Sequence, residues 1–193
     1  MKKKILELFD NYRYYYQAGK LEEALLDLEC KYVASGSSRH VYMVSPTRVA
    51  KIAYNAAGMR QNEAEYNAYS KKYSDVLAKT YRQFNNYKVI ISEYVKPLSE
   101  YRFRKIYGLE FYEFAMIFFR EEHHSKEFIN SGKFRKNMTK FITKFLSFCN
   151  TVDLHGFLEF TDTKQWGLSG DKLKLLDYGL NRKIYKRFYE KDC

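Results

Sequence analysis

Between residues 31 and 94, five short strand-like runs follow one another with little chain between them. They lie at 31–34, 40–44, 48–53, 79–84 and 87–94. Ser35-Gly36-Ser37-Ser38 separates the first two, Ser45-Pro46-Thr47 the next two, and Asn85-Asn86 the last two. Turns this short join antiparallel neighbours, because a parallel crossover needs a dozen or more residues. Asparagine tolerates positive φ, so Asn85-Asn86 suits a hairpin. The one longer interval opens at Gly58 and reads as a helix to about residue 73, with Ala64, Ala68 and Tyr69 on one face.

Helical patterns flank this region. Residues 4–29 carry Ile5, Leu6, Leu8, Phe9 and Tyr12 on one face, are interrupted at Gln17-Ala18-Gly19-Lys20, and resume with Leu21, Ala24, Leu25 and Leu28. After Pro97 the chain becomes helical and aromatic, over 109–122 and 134–154. Aromatics make up 18% of the 193 residues, so much of the core should be ring packing. A hairpin follows, with 166–168 and 173–176 joined by Ser169-Gly170-Asp171. The order of elements predicts an α+β fold with an antiparallel sheet lobe and a reduced helical lobe. The expected organisation is a helical extension over 1–29, a sheet-rich lobe with one helix over 30–96, and a helical lobe with the hairpin over 97–193.

The formal net charge of +11 suits nucleic acid, phosphorylated ligands or acidic proteins and does not choose among them. No RNA-recognition or zinc-finger pattern accompanies it, which disfavours a nucleic-acid partner. Cys30, Cys149 and Cys193 have no CxxC spacing and support neither a disulfide framework nor a zinc site. No apolar run is long enough to span a bilayer, so no membrane partner is expected and the location reads as cytoplasmic. His123 and His124 are adjacent and would point apart on a helix, which argues against a shared metal. His155 reads as a helix-terminal charge.

Four places could carry chemistry. The small residues Gly36, Ser37 and Ser38, followed by Arg39, would let backbone N–H groups approach a phosphate chain, although an ordinary hairpin turn has the same composition. Lys51 sits in the apolar run Val49-Ala50-Lys51-Ile52-Ala53: a fixed cation for phosphates if the strand is covered, an edge lysine if it is not. Glu65 on the following helix could hold that ammonium, with Glu63 as its competitor. Asp162 and Asp177 flank the hairpin, one suited to accept or position a substrate proton and the other to bind Mg²⁺. A turn-forming or capping role would equally explain Asp162.

Taken in order, Gly36-Ser37-Ser38-Arg39, Val49-Ala50-Lys51, Glu93-Tyr94-Val95 and Asp177-Tyr178-Gly179 resemble the protein-kinase-like fold over residues 31–180. The chain looks most like the compact kinase-like proteins of bacteria and their phages, in which a GSSR-type loop and a DYG triplet recur. The resemblance implies an ATP cleft between two lobes, with Glu93 and Val95 at the hinge against adenine. It further implies a Lys51–Glu65 ion pair, Asp162 as the catalytic-loop acid, and Asp177 with Gln165 as the Mg²⁺ ligands.

The departures are specific. Ala34 and Arg39 stand where the family has glycine, and Phe160-Thr161 replaces His-Arg before Asp162. Gln165 follows Asp162 by three positions, where the family has asparagine at five. After Leu180 the sequence shows residues 181–193, so neither an activation segment nor a peptide-substrate platform is expected there. Two functions are therefore expected to compete: an ATP- and Mg²⁺-dependent phosphotransferase of minimal size acting on a protein, and a pseudokinase that binds a protein partner.

Overall fold

The computed structural model describes residues 2–14, 17–119, 136–154 and 160–190. The chain is α+β, with a five-stranded antiparallel sheet, a three-stranded antiparallel sheet and, among the described residues, seven α-helices. It divides into two compact units. The first comprises Met1–Tyr69, Ala78–Tyr94 and Tyr178–Cys193; the second comprises Ser70–Leu77 and Val95–Asp177.

In the first unit the strands are β1 (Lys31–Ser35), β2 (Arg39–Ser45), β3 (Arg48–Ala53), β4 (Thr80–Phe84) and β5 (Val89–Glu93), in the spatial order β1-β2-β3-β5-β4. All five follow the predicted runs to within two residues. The β4–β5 turn takes positive φ at Asn85, Asn86 and Tyr87 (45°, 57° and 65°). Period-two alternation gives the sheet two different faces. One carries Tyr42, Val44, Ala50, Ile52, Val89 and Ile91, and helices α1 (Lys3–Asn11) and α2 (Ala18–Asp27) cover it with Ile5, Phe9, Leu21 and Leu25. The side chain of Asn85 donates to the carbonyls of Phe9 and Tyr12 at 2.6 and 2.8 Å, and the Tyr12 hydroxyl donates to Ala53 O at 2.9 Å, so the end of α1 is tied to the sheet. The residues expected as a separate extension are thus one layer of this unit. Burial of that apolar layer is the main stabilising contribution, at about 25 cal/mol per Å².

Helix α3 (Ala56–Ala68) stands against the other face. Asn55 caps it by accepting from the Gly58 N–H at 2.9 Å. The face it buries is not the predicted one. Ala57, Gly58, Gln61, Asn62 and Glu65 are buried, whereas Ala64, Ala68 and Tyr69 are only half-buried. The hydrophobic pattern misled because this helix docks through polar groups. A further helix, α7 (Arg182–Phe188), packs on α3 through its own unit and buries Ile184.

The second unit holds α4 (Glu100–Tyr107), α5 (Phe111–Ala115), α6 (Lys136–Val152) and the sheet β6-β7-β8 (Lys96–Pro97, Trp166–Ser169, Lys172–Leu175). Its core is aromatic, as composition suggested. The fully buried Trp166 ring lies 5.1 Å from Phe145 and 5.2 Å from Phe114, in edge-on geometry, and its Nε1 donates to Phe160 O at 2.9 Å. Residues 70–77 join this unit through a parallel bridge from Leu77 to Leu175. The expected helices at 109–122 and 134–154 extend beyond the described residues, and His123, His124 and His155 lie outside them. No helix among the described residues is long and apolar enough to cross a membrane.

Candidate functional site

Lys51 is central in the sheet, since β2 and β5 both pair with β3. Its neighbours Ala50 and Ile52 face the apolar layer, so alternation sends Lys51 to the side occupied by α3. The ammonium meets Glu65 Oε1 at 2.5 Å, with both side chains buried. The other oxygen of the same carboxylate, Oε2, accepts from Arg39 Nη1 at 3.0 Å. Glu65 is therefore bridged by two cations, and it is fully buried. Glu63 pairs instead with Arg60 at the surface, at 2.6 Å. Desolvating three charges is expensive, and close hydrogen-bonded geometry such as this is what offsets it.

Arg39 occupies the position at which a glycine was expected. It does not project from the loop. Its register partner is Ala53, which puts it on the Lys51 side of the sheet, and it donates to Asn62 Oδ1 at 3.1 Å as well as to Glu65. Asn62 was not anticipated from sequence. It is fully buried, and its amide donates to Lys51 O at 3.2 Å and Tyr87 O at 2.8 Å, clamping α3 to β3 and to the β4–β5 turn. The signal available was its place three residues before Glu65, on the same helical face.

The Gly36-Ser37-Ser38 loop is anchored by its carbonyls. Gly36 O accepts from the Tyr54 hydroxyl at 2.7 Å, Ser37 O from Asn55 Nδ2 at 3.3 Å, and Ser38 O from Tyr54 N at 3.2 Å. Ser38 is buried and its hydroxyl donates to Gln61 Oε1 at 3.2 Å. Gly36 and Ser37 are exposed. The glycine that makes this packing possible is Gly58 on α3. A Cβ there would stand 2.1 Å from Ser38 O, whereas one on Gly36 would meet nothing within 4 Å. The loop, Lys51, Glu65 and Arg39 are thereby assembled within one unit, with the loop carbonyls held by Tyr54 and Asn55.

The remaining expected site residues are distributed as follows. Glu93 ends β5, and its Oε2 accepts from Lys79 N at 3.1 Å. The division between the units falls between Tyr94 and Val95, inside the expected hinge triplet, and Val95 is buried in the second unit. Asp162, Gln165 and Asp177 also belong to the second unit. Asp162 is exposed and caps the 3₁₀ turn Thr163–Gln165, its Oδ1 accepting from Lys164 N at 2.8 Å. Gln165 O accepts from Leu176 N at 2.8 Å, which brings Gln165 opposite the residue preceding the half-buried Asp177.

No group of three or more His, Cys, Asp or Glu side chains gathers among the described residues. Asp177 carries a carboxylate and Gln165 an amide, and the Leu176 N–H to Gln165 O bond makes them near neighbours along the backbone. These are hard donors of the kind Mg²⁺ takes, and that ion ordinarily draws the rest of its shell from phosphates and water. In comparisons with known proteins, no family model matches the chain and no curated sequence matches it.

Proposed function

We propose that the chain is a compact kinase-like protein that binds ATP with Mg²⁺. The observation that carries this reading is the buried Lys51–Glu65 contact at 2.5 Å, beside the Gly36-Ser37-Ser38 loop. A lysine held on a central strand by a helix carboxylate keeps its position, which is what an α- and β-phosphate ligand requires. In this reading Asp177 and Gln165 would hold a bound metal ion, whose contribution would be charge neutralisation at the phosphates. Asp162 accepts the proton of an acceptor hydroxyl as the γ-phosphoryl group moves to its oxygen and ADP leaves. Lys51 balances charge on the phosphates that remain with ADP.

A second reading is a nucleotide-binding interaction protein without phosphotransfer. The capping bond that Asp162 accepts from Lys164 N favours it, since that oxygen is engaged in local structure. The inward fold of Arg39 fits either reading.

Thermal unfolding with ATP and Mg²⁺ tests the shared part. A ligand at 100 times its Kd stabilises by about 2.7 kcal/mol, which raises Tm by several degrees. Lys51→Met should remove that rise while the variant remains folded. An unchanged Tm for the wild-type chain at millimolar ATP would refute nucleotide binding. Transfer of labelled γ-phosphate to the chain or to a protein acceptor then separates the two readings.

A further inference from the structure

We propose that Tyr189 is a latch on the Gly36-Ser37-Ser38 loop, and that its release opens the loop to phosphate. The inference rests in part on the nucleotide-binding reading above.

The latch belongs to a segment of the first unit with a fixed root and a lighter tip. At the root, the buried Tyr178 hydroxyl donates to Ala78 O at 2.7 Å. Gly179 is pressed against α3 so closely that a Cβ there would stand 2.3 Å from Gln61 O. Asn181 then caps α7, accepting from Ile184 N at 2.9 Å, and Ile184 is buried. Beyond the helix Tyr189 is only half-buried, and the basic side chains Arg182, Lys183, Lys186 and Arg187 are exposed. A segment held at one end and lightly seated at the other opens locally, without global unfolding.

What the tip touches gives it meaning. The Tyr189 hydroxyl accepts from Gln61 Nε2 at 2.7 Å and from Ser37 Oγ at 3.4 Å. The same Gln61 amide accepts from Ser38 Oγ at 3.2 Å. One tyrosine thus engages both loop serines, Ser37 directly and Ser38 through Gln61. The three loop carbonyls are already tied down by Tyr54 and Asn55. The Gly36 N–H already donates to Arg39 O at 3.0 Å; the serine hydroxyls are donors a phosphate would use, and the Tyr189 network occupies them. The contact is consequently inhibitory: a phosphate oxygen and the Tyr189 hydroxyl compete for Ser37.

The test is Tyr189→Phe in the full chain, which keeps the ring and its stack on Tyr185 and removes only the hydroxyl. Lys183→Ala, on the exposed side of α7, serves as the control. Two readouts are taken: hydrogen exchange of the peptide containing residues 36–38 without ligand, and the Kd for ATP with Mg²⁺. Loss of these bonds should speed exchange and tighten ATP binding by about 2- to 10-fold, the range set by one or two exchanged hydrogen bonds. The control should change neither. Unchanged exchange in Tyr189→Phe overturns the latch. Faster exchange with unchanged or weaker ATP binding overturns its inhibitory sense. If neither protein binds ATP, faster exchange still upholds the latch while the nucleotide reading falls.

Discussion

Substituting Glu65 by alanine removes one carboxylate from between two buried cations, and its cost follows from that geometry. Lys51 and Arg39 lie on opposite oxygens at 2.5 and 3.0 Å, and all three side chains are at least nine-tenths buried. Breaking a buried ion pair from one side costs about 3–5 kcal/mol, because the partner's charge keeps its desolvation penalty. Glu63 provides the internal comparison. It lies two residues away on the same helix, pairs with Arg60 at 2.6 Å, and sits at the surface. An exposed pair at this spacing is worth about 0.3–0.5 kcal/mol. The assay is urea unfolding followed by circular dichroism and by hydrogen exchange of peptides from α3 and β3, which belong to the unit that holds the triad. With a slope of about 2 kcal/mol/M, Glu65→Ala should lower the midpoint by roughly 2 M and Glu63→Ala by about 0.2 M. Glu65→Gln keeps the shape and loses the charge, and should fall between them. Similar midpoints for Glu65→Ala and Glu63→Ala would refute the assignment of the triad as a buried, coupled unit.

Four other outcomes follow from the same geometry. Gly58→Ala should destabilise by about 1–3 kcal/mol, because its Cβ would meet Ser38 O, while Gly36→Ala should be close to neutral; thermal unfolding of the two compares them directly. Ser92→Ala should be neutral or slightly stabilising, since the buried Ser92 hydroxyl has no hydrogen-bond partner among the described residues; the same unfolding measurement checks it. Lys144, 2.7 Å from Asp75, holds that carboxyl below the usual range, so its small stabilising effect is present at neutral pH and is lost as pH falls through the lowered pKa; Lys144→Met should raise the Asp75 value in an NMR titration. Burial pushes the Cys30 and Cys149 thiols up, so a brief iodoacetamide pulse should label neither in the folded chain and both in urea, as read by mass spectrometry.

The strand runs were legible because tight turns and alternation are local signals, and the Asn85-Asn86 turn kept the backbone its composition requires. Lys51 stood out because a charge inside an apolar strand is conspicuous. The choice between Glu65 and Glu63 was not legible from hydrophobicity. The docking face of α3 runs through residues 58, 61, 62 and 65, and three of these are polar, so a search for an apolar stripe settles on Ala64 and Ala68 instead. Arg39 was ambiguous for a related reason: strand register, not composition, turned it inward. The helical extension over 1–29 read as a separate element because nothing local announces that its apolar face matches one side of a sheet. Residues 178–190 were assigned to the helical lobe by proximity along the chain, whereas their partners, Ala78, Gln61 and Ser37, lie 100 or more residues away.

That last feature bears on how the chain can be taken apart. The first unit is assembled from three stretches, and residues 95–177, nearly all of the second unit, form a loop between two of them. Closing a loop of that length costs only slightly more than closing one half as long, because the entropic term grows logarithmically. The demand is topological: residues 178–190, whose Gly179 and Tyr189 meet Gln61 of α3, reach it from the far end of that loop. A fragment ending near residue 94 would therefore contain every strand of the larger sheet and still leave one side of α3 uncovered. Supplying residues 178–190 as a separate peptide would turn this internal contact into a binding reaction whose strength could be titrated.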